Sequence, residues 1–209
     1  VTLSREDYIA AAWLLRCEPE AIQAVAEVES GPLGGFLPTG EPVILFERHK
    51  FYQHTLTTVP KGARMPTVVG SLVIKPENTI LSWPTPGGYG PVSIQHAKLE
   101  HAAKLDRDAA LKSCSWGRFQ ILGENHRQAG FPILQRFVNA MYRSEQDHLR
   151  AFVMFIRADH RLVDALRTLN FPVFAAIYNG PAFKKNAYDR KMRDVYVRLA
   201  GTTPMVVNG

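Results

Sequence analysis

Apolar residues recur at helical spacing over most of this chain, and the polar residues between them mark where helices start and stop. Ser4 and Asp7 stand three apart ahead of Ile9, Ala12, Trp13 and Leu15, which predicts a capped first helix. Pro19 suits the first turn of a second helix, in which Ile22, Val25 and Ala26 share one face. Gly31-Pro32 ends that helix just after Glu29. The run PVILF at 42–46 reads as a short strand before the polar segment FERHKFYQH.

The pattern changes at 56–91, where Pro60, Pro66, Pro76, Pro84, Pro86 and Pro91 alternate with Gly87-Gly88. A long irregular excursion is expected there, with room for a hairpin in VVGSLVI at 68–74. Helical spacing resumes at Val92 and runs through Lys112, and SCSWGRFQI reads as a turn and a further helix. Leu149, Phe152, Val153 and Ile156 form one stripe, and Leu162, Leu166 and Leu169 another. VFAAIY at 173–178 is apolar all round, as a central helix would be, and Asn179-Gly180-Pro181 stops it. Tyr188, Met192, Val195, Tyr196 and Leu199 make the last stripe. These elements predict one mainly α domain of the α+β kind over 1–209, with a small β-hairpin element and the 56–91 stretch as an insertion.

Composition sets limits on this picture. Hydrophobic residues are 46% of 209 and charged residues 21%, enough for a packed core. No apolar run approaches the about 18 residues that cross a bilayer. The start, VTLSREDYIA, has no basic region followed by an apolar core, so no secretory signal is visible. It begins with Val, which leaves an upstream domain open. The net charge of +6 suits a polyanionic partner. The basic residues are spread along helices, with RKMR at 190–193 the densest cluster, so nucleic acid is not expected. Cys17 and Cys114 are read as two reduced, partly buried thiols. His49 and His54, like His96 and His101, are five apart and fall on different helix faces, so neither a metal nor another cofactor is expected.

One residue breaks the apolar pattern in an informative way. Glu29 stands seven positions after Ile22 and continues the apolar face of the second helix, whereas Glu27 points elsewhere. Burial and the negative end of the helix dipole both disfavour its charge. A carboxylic acid that keeps its proton near neutral pH is what general-acid catalysis needs. A helix-end glutamate that reaches solvent is the alternative. The glycines at 31, 34 and 35 leave little bulk beside it, room for a polymer. In SWGRFQI a helical reading sets Trp116, Phe119 and Gln120 on one face, with Gly117 opening a slot for sugar hydroxyls or an acetamido group; a core tryptophan beside a glycine turn is the alternative. Tyr178 and Asn179 sit where a buried helix stops and can project into a cleft, or act as a core tyrosine and a cap.

Three segments, VESGP at 28–32, SWGRFQI at 115–121 and IYNGP at 177–181, resemble in type and order those of goose-type lysozymes and soluble lytic transglycosylases. The longer block AIQAVAEVESGPLGGFLPTGEPVILFERHKFY more closely resembles the N-acetylmuramidase catalytic domain of phage endolysins, which is often paired with a separate peptidoglycan-binding module. The resemblance spans nearly the whole chain. It implies a lysozyme-like fold and hydrolysis of the β-1,4 bond between N-acetylmuramic acid and N-acetylglucosamine. It makes Glu29 the catalytic acid and Ser115, Gly117, Gln120, Tyr178 and Asn179 cleft residues. It also implies that the chain waits in the host cytoplasm until it reaches the wall.

Glu47 is the candidate second carboxylate, held ionised by Arg48 or His49, with a structural ion pair as its rival and Glu41 a weaker choice. Peptidoglycan is the expected partner of a monomer. An anionic membrane is a second one, met by Lys184, Lys185, Arg190, Lys191 and Arg193, unless these form only a solvated face. A lytic transglycosylase, a chitinase-like hydrolase and a non-catalytic glycan- or nucleic-acid-binding module using Trp83, Tyr89 and Trp116 are the rival functions.

Overall fold

The fold is known from a computed structural model that describes residues 2–55, 79–181 and 183–201. Helix α1 (Arg5–Leu15) starts with a reciprocal cap: the Ser4 hydroxyl accepts from the Asp7 N–H at 3.2 Å and the Asp7 carboxylate from the Ser4 N–H at 2.8 Å. Helix α2 (Pro19–Ser30) buries Ala21, Ile22, Ala24, Val25 and Ala26 completely. Small residues on several sides let neighbours approach closely. They are α1 on one side and α11 (Tyr188–Ala200) on another.

Strand β1 (Ile44–Phe46) leads into helix α3 (Arg48–Thr55), so the polar FERHKFYQH segment is largely helical. The helix expected from Val92 to Lys112 is two helices, α4 (Gln95–Leu105) and α5 (Arg107–Lys112). Asp106 separates them: its backbone is extended and its carboxylate accepts from the Ala109 N–H at 2.9 Å, capping the second. The bundle continues through α6 (Leu134–Arg143), α7 (Glu145–Arg157), α8 (His160–Arg167), α9 (Phe171–Tyr178) and the short α10 (Phe183–Asn186). Residues 79–91 contain turns but no helix or strand. The hairpin expected at 68–74 lies outside the described residues.

The SWGRFQI segment departs from its helical reading. Strand β2 (Cys114–Trp116) pairs antiparallel with β1, Leu45 opposite Ser115, and with β3 (Ile121–Leu122), Trp116 opposite Ile121. Gly117 (φ 67°) and Gln120 (φ 48°) take left-handed conformations in the turn between β2 and β3. That turn brings both Trp116 and Phe119 into the core, which mimics helical spacing in the sequence.

A buried acid ties these parts together. Glu145 accepts hydrogen bonds from the N–H groups of Leu3 (3.1 Å) and Gly35 (2.7 Å) and pairs with Arg118 at 3.2 Å. Arg118 also donates to the Tyr8 hydroxyl at 3.2 Å. Beside it His148 donates from Nε2 to the Met141 carbonyl (2.7 Å) and accepts at Nδ1 from the Arg118 N–H (3.1 Å), which requires the neutral ring. Phe36 stacks on that ring with centroids 5.0 Å apart. A Cβ on Gly35 would come within 2.7 Å of His148 Nδ1, and one on Gly117 within 2.7 Å of the same ring. The missing side chain at Gly117 therefore admits His148 and does not open the slot expected of it.

Removing the Glu145 carboxylate leaves a buried guanidinium and two N–H groups without their acceptor. Glu145→Ala should lower unfolding free energy by about 3–5 kcal/mol, measured by denaturant titration. Burial also lowers the His148 pKa from its ordinary 6.5. The unfolded chain then binds the extra proton first, so His148's contribution to stability is complete above about pH 6.5 and is lost as pH falls below it.

Candidate active site

Glu29 occupies the last turn of α2, close to Gly31, where an added Cβ would meet nothing within 4 Å. Gly34 and Gly35, expected to add to that space, pack instead against Arg118, Glu145 and His148. Glu27 leaves the apolar face as expected and joins Gln23 and Arg198. Glu29 is partly buried, and its Oε1 accepts from the Asn179 side-chain N–H at 2.7 Å. Burial pushes its pKa up from 4.5 to about 7, while the Asn179 amide pulls the other way.

Asn179 caps the C-terminus of α9, and its Oδ1 is buried with no partner among the described residues. Tyr178 does not offer its phenol to open space. Its hydroxyl donates to the Phe119 carbonyl at 2.6 Å, tying α9 to the β2–β3 turn, and its ring stacks on Phe174 at 5.2 Å. Burial and the nearby Glu29 charge hold the Tyr178 pKa well above 10, so it stays a donor. Gln120 donates to the carbonyls of Gly117 (2.8 Å) and Val43 (3.4 Å), bracing the same turn.

The second carboxyl belongs to a separate cluster. Glu47 follows β1, with its N–H bonded to the Ser113 carbonyl (2.9 Å) and its Oε1 accepting from the Ser115 hydroxyl (2.9 Å). Its expected cationic partners do not hold it ionised. Arg48 turns to the Thr79 carbonyl at 3.3 Å and lies against Gly88. His49 sits 3.6 Å from Glu47, but burial and the Lys50 charge lower its pKa below 6.5. Burial raises the Glu47 pKa above 4.5, opposed by the Ser115 hydrogen bond and the charge of Lys50. Glu41 is half-buried, with Thr39 donating to it at 3.1 Å and the His96 ring 3.8 Å away.

Two tyrosines that the sequence pattern did not assign to the site are linked to these carboxyls. The Tyr188 pKa is raised by burial and then by the charges of Glu29, Tyr89 and Glu47. That of Tyr89 is raised by burial and then by Glu47. Both carboxyls therefore act on the phenol of Tyr188, although they sit on different elements. The turn carrying Tyr89 is clasped from α4. Lys98 donates to the carbonyls of Gly88 (2.9 Å) and Tyr89 (2.5 Å), and Gln95 to those of Tyr89 (2.7 Å) and Pro91 (3.0 Å). Gln95 also accepts from the Phe46 N–H at 2.9 Å, which fixes the turn to β1 beside Glu47. Gln95 and Lys98 open α4 just after GGYGP in the sequence, but the burial of their side chains is visible only in the fold.

The fold, mainly helical with a small three-stranded antiparallel sheet, is lysozyme-like. The chain belongs to the N-acetylmuramidase family, whose family model matches residues 18–200. It is also similar to the crystal structure of the Burkholderia AP3 phage endolysin, with 35% identity, a TM-score of 0.80, and coverage of 96% of this chain and 73% of that one. No curated protein matches it significantly. The protein is thus a peptidoglycan-cleaving glycoside hydrolase of the muramidase type.

The Glu29 environment has a measurable signature. Because its folded pKa lies above the unfolded one, its contribution to stability is complete below about pH 4.5 and is lost as pH rises through about 7. Glu29→Gln removes that dependence and should be more stable than the parent at pH 8 by about 1–3 kcal/mol. Asn179→Ala removes the hydrogen bond that favours the ionised form, so the Glu29 carboxyl should titrate at higher pH, as followed by carbon-13 NMR.

Proposed function

We propose that Glu29 protonates the glycosidic oxygen in cleavage of the β-1,4 bond between N-acetylmuramic acid and N-acetylglucosamine. One observation carries this reading: a carboxyl on an otherwise apolar helix face, raised to about 7 by burial and held by a single side-chain amide. Such a group is an acid at neutral pH that can give up its proton without losing its hydrogen-bond partner. Asn179 is then a substrate contact as well, since its unpartnered Oδ1 can accept from a sugar hydroxyl or acetamido N–H. Tyr178, Gly117 and Gln120 shape the cleft from below by fixing α9 against the β2–β3 turn. Ser115 orients Glu47.

Glu47 is our candidate for the second carboxyl, stabilising charge in the oxocarbenium-like transition state. Burial of Glu47 also supports a second reading. With burial outweighing both the Ser115 hydrogen bond and the Lys50 charge at Glu47, chemistry by Glu29 alone becomes reasonable, and a lytic transglycosylase needs no more. The products separate the two: hydrolysis leaves a reducing end, and transglycosylation a 1,6-anhydro sugar one water lighter.

The domain spans 1–209 in this reading and acts as a monomer on the wall, after leaving the cytoplasm of a phage-infected host, with any wall-binding module lying elsewhere. No described helix is long and apolar enough to cross a membrane. The net charge of +6 draws the enzyme to an anionic wall or membrane surface. Helix α11 is an unsuitable membrane anchor, because it packs on α2 and α9. Lys191 also lies over the Tyr188 ring at 5.8 Å.

Glu29→Gln should abolish release of soluble muropeptides while circular dichroism stays native. Release at the parental rate refutes the assignment. Mass spectrometry of the parental digest should show reducing ends, and Glu47→Gln should slow turnover by more than a few-fold. Anhydro products, with little effect of Glu47→Gln, establish the transglycosylase reading instead.

A further inference from the structure

Helix α1 turns part of its apolar content outward. Trp13 is 80% exposed, Leu14 47% and Ile9 46%, while Tyr8, Ala11, Ala12 and Leu15 are buried. Ile9 and Trp13 are four residues apart and share a face, so the exposure forms a patch. The patch borders a concave groove of about 530 Å³ lined by Trp13, Leu14, Arg16, Cys17 and Arg157. A second hollow of about 400 Å³ shares Leu14, Arg16 and Arg157 and continues it toward α8. Trp13 thus stands at one end of a trough whose middle carries two guanidinium groups.

The charges there are free to act. Arg16 and Arg157 are exposed and have no ion pair among the described residues, and no acidic residue lines the first hollow. Asp164 in the second is 3.8 Å from Arg167. Arg16 also ends α1 at φ 54°, a left-handed position that favours glycine, so a guanidinium sits at the trough despite an unfavourable backbone. The Cys17 thiol is pushed up to about 11 by burial and adds no reactivity.

We propose that this trough is a second, non-catalytic wall-binding site, and this rests on peptidoglycan being the substrate. The exposed indole takes the apolar face of a sugar ring, and Arg16 and Arg157 take the carboxylates of a stem peptide. Two observations favour a glycopeptide over a lipid surface. The site is concave and so suits a discrete strand, and both guanidinium groups line the hollow itself, beside the indole. It is also remote from the chemistry: Pro19, near the end of α1, and Glu29 are separated by about 15 Å of helix rise. A polymer can meet both places, whereas a short cleavage product held in the cleft does not. Engaging both raises the local concentration of uncut strand at Glu29.

The test compares two substrates. Trp13→Ala and the charge reversal Arg157→Glu alter exposed positions, and circular dichroism with thermal melting verifies that each folds. In a Glu29→Gln background, co-sedimentation with purified lipid-free sacculi should weaken by about tenfold in either variant. In the active background, turnover of sacculi should fall by a similar factor, while turnover of a soluble tetrasaccharide should be unchanged. The soluble fragment reads the catalytic centre and sedimentation reads the trough, so failure of one reading is distinguishable from failure of the other. Unchanged sedimentation of both variants overturns the proposal. So does loss of binding to phosphatidylglycerol vesicles without loss on sacculi, or a dimer in analytical ultracentrifugation that Trp13→Ala dissociates.

Discussion

The buried Glu145–Arg118 pair is the joint on which the other parts bear. Ionised groups out of water are unfavourable unless their hydrogen-bonding capacity is met. Here the carboxylate meets it with Leu3, Gly35 and Arg118, and the guanidinium meets it again with Tyr8. These residues come from the N-terminal segment, α1, the loop after α2, the β2–β3 turn and α7. One desolvated pair thus sets the relative positions of elements that are remote in sequence. His148 extends it, because its neutral ring fills the space left by Gly35 and Gly117.

The site inherits its geometry from this joint. Arg118 and Phe119 lie in the same turn, and the Phe119 carbonyl receives the Tyr178 hydroxyl. That bond fixes the end of α9, where the next residue, Asn179, meets Glu29. A chain of short contacts therefore runs from the buried ion pair to the acid. The two carboxyls are tuned by one cause, burial, and differ in what opposes it: a single amide at Glu29, and a hydroxyl with a lysine charge at Glu47. Glu124 gives the contrast within the same protein. Its hydrogen bonds with His54 and Lys50 outweigh burial and hold its pKa at about 2, which makes it a structural anion and not an acid.

The surface divides in a similar way. Helix α11 carries many of the cations yet spends its apolar stripe on packing, whereas α1 keeps an indole and two aliphatic side chains outside. Charge alone therefore does not locate a partner. The exposed apolar group beside unpaired guanidinium groups is a different combination, and it lies away from the C-terminal end of α2 that carries Glu29.

Periodicity was enough to find α2 and its stop, the existence of α9, and Glu29 as a carboxyl on an apolar face, because each depends on residues within a few turns of one another; α9 is not central as its composition predicts, since Pro172, Val173 and Ala176 are exposed. The family resemblance also read from the sequence agrees with the family match. Local pattern misassigned SWGRFQI, since a tight turn that buries Trp116 and Phe119 has the same spacing as a helix face. It also paired Glu47 with Arg48, which is drawn instead to Thr79 and Gly88 while His49 stays 3.6 Å from Glu47, and it gave Gly117 to the substrate when His148 fills that space. Tyr89 was legible only as an aromatic of a rival binding module and Tyr188 only as part of an apolar stripe, because their place beside the carboxyls depends on Lys98, Gln95 and the docking of α11. Hydrophobic period is a property of neighbours along the chain. Hydrogen-bond partners and burial are properties of neighbours in space, and only the folded chain chooses those.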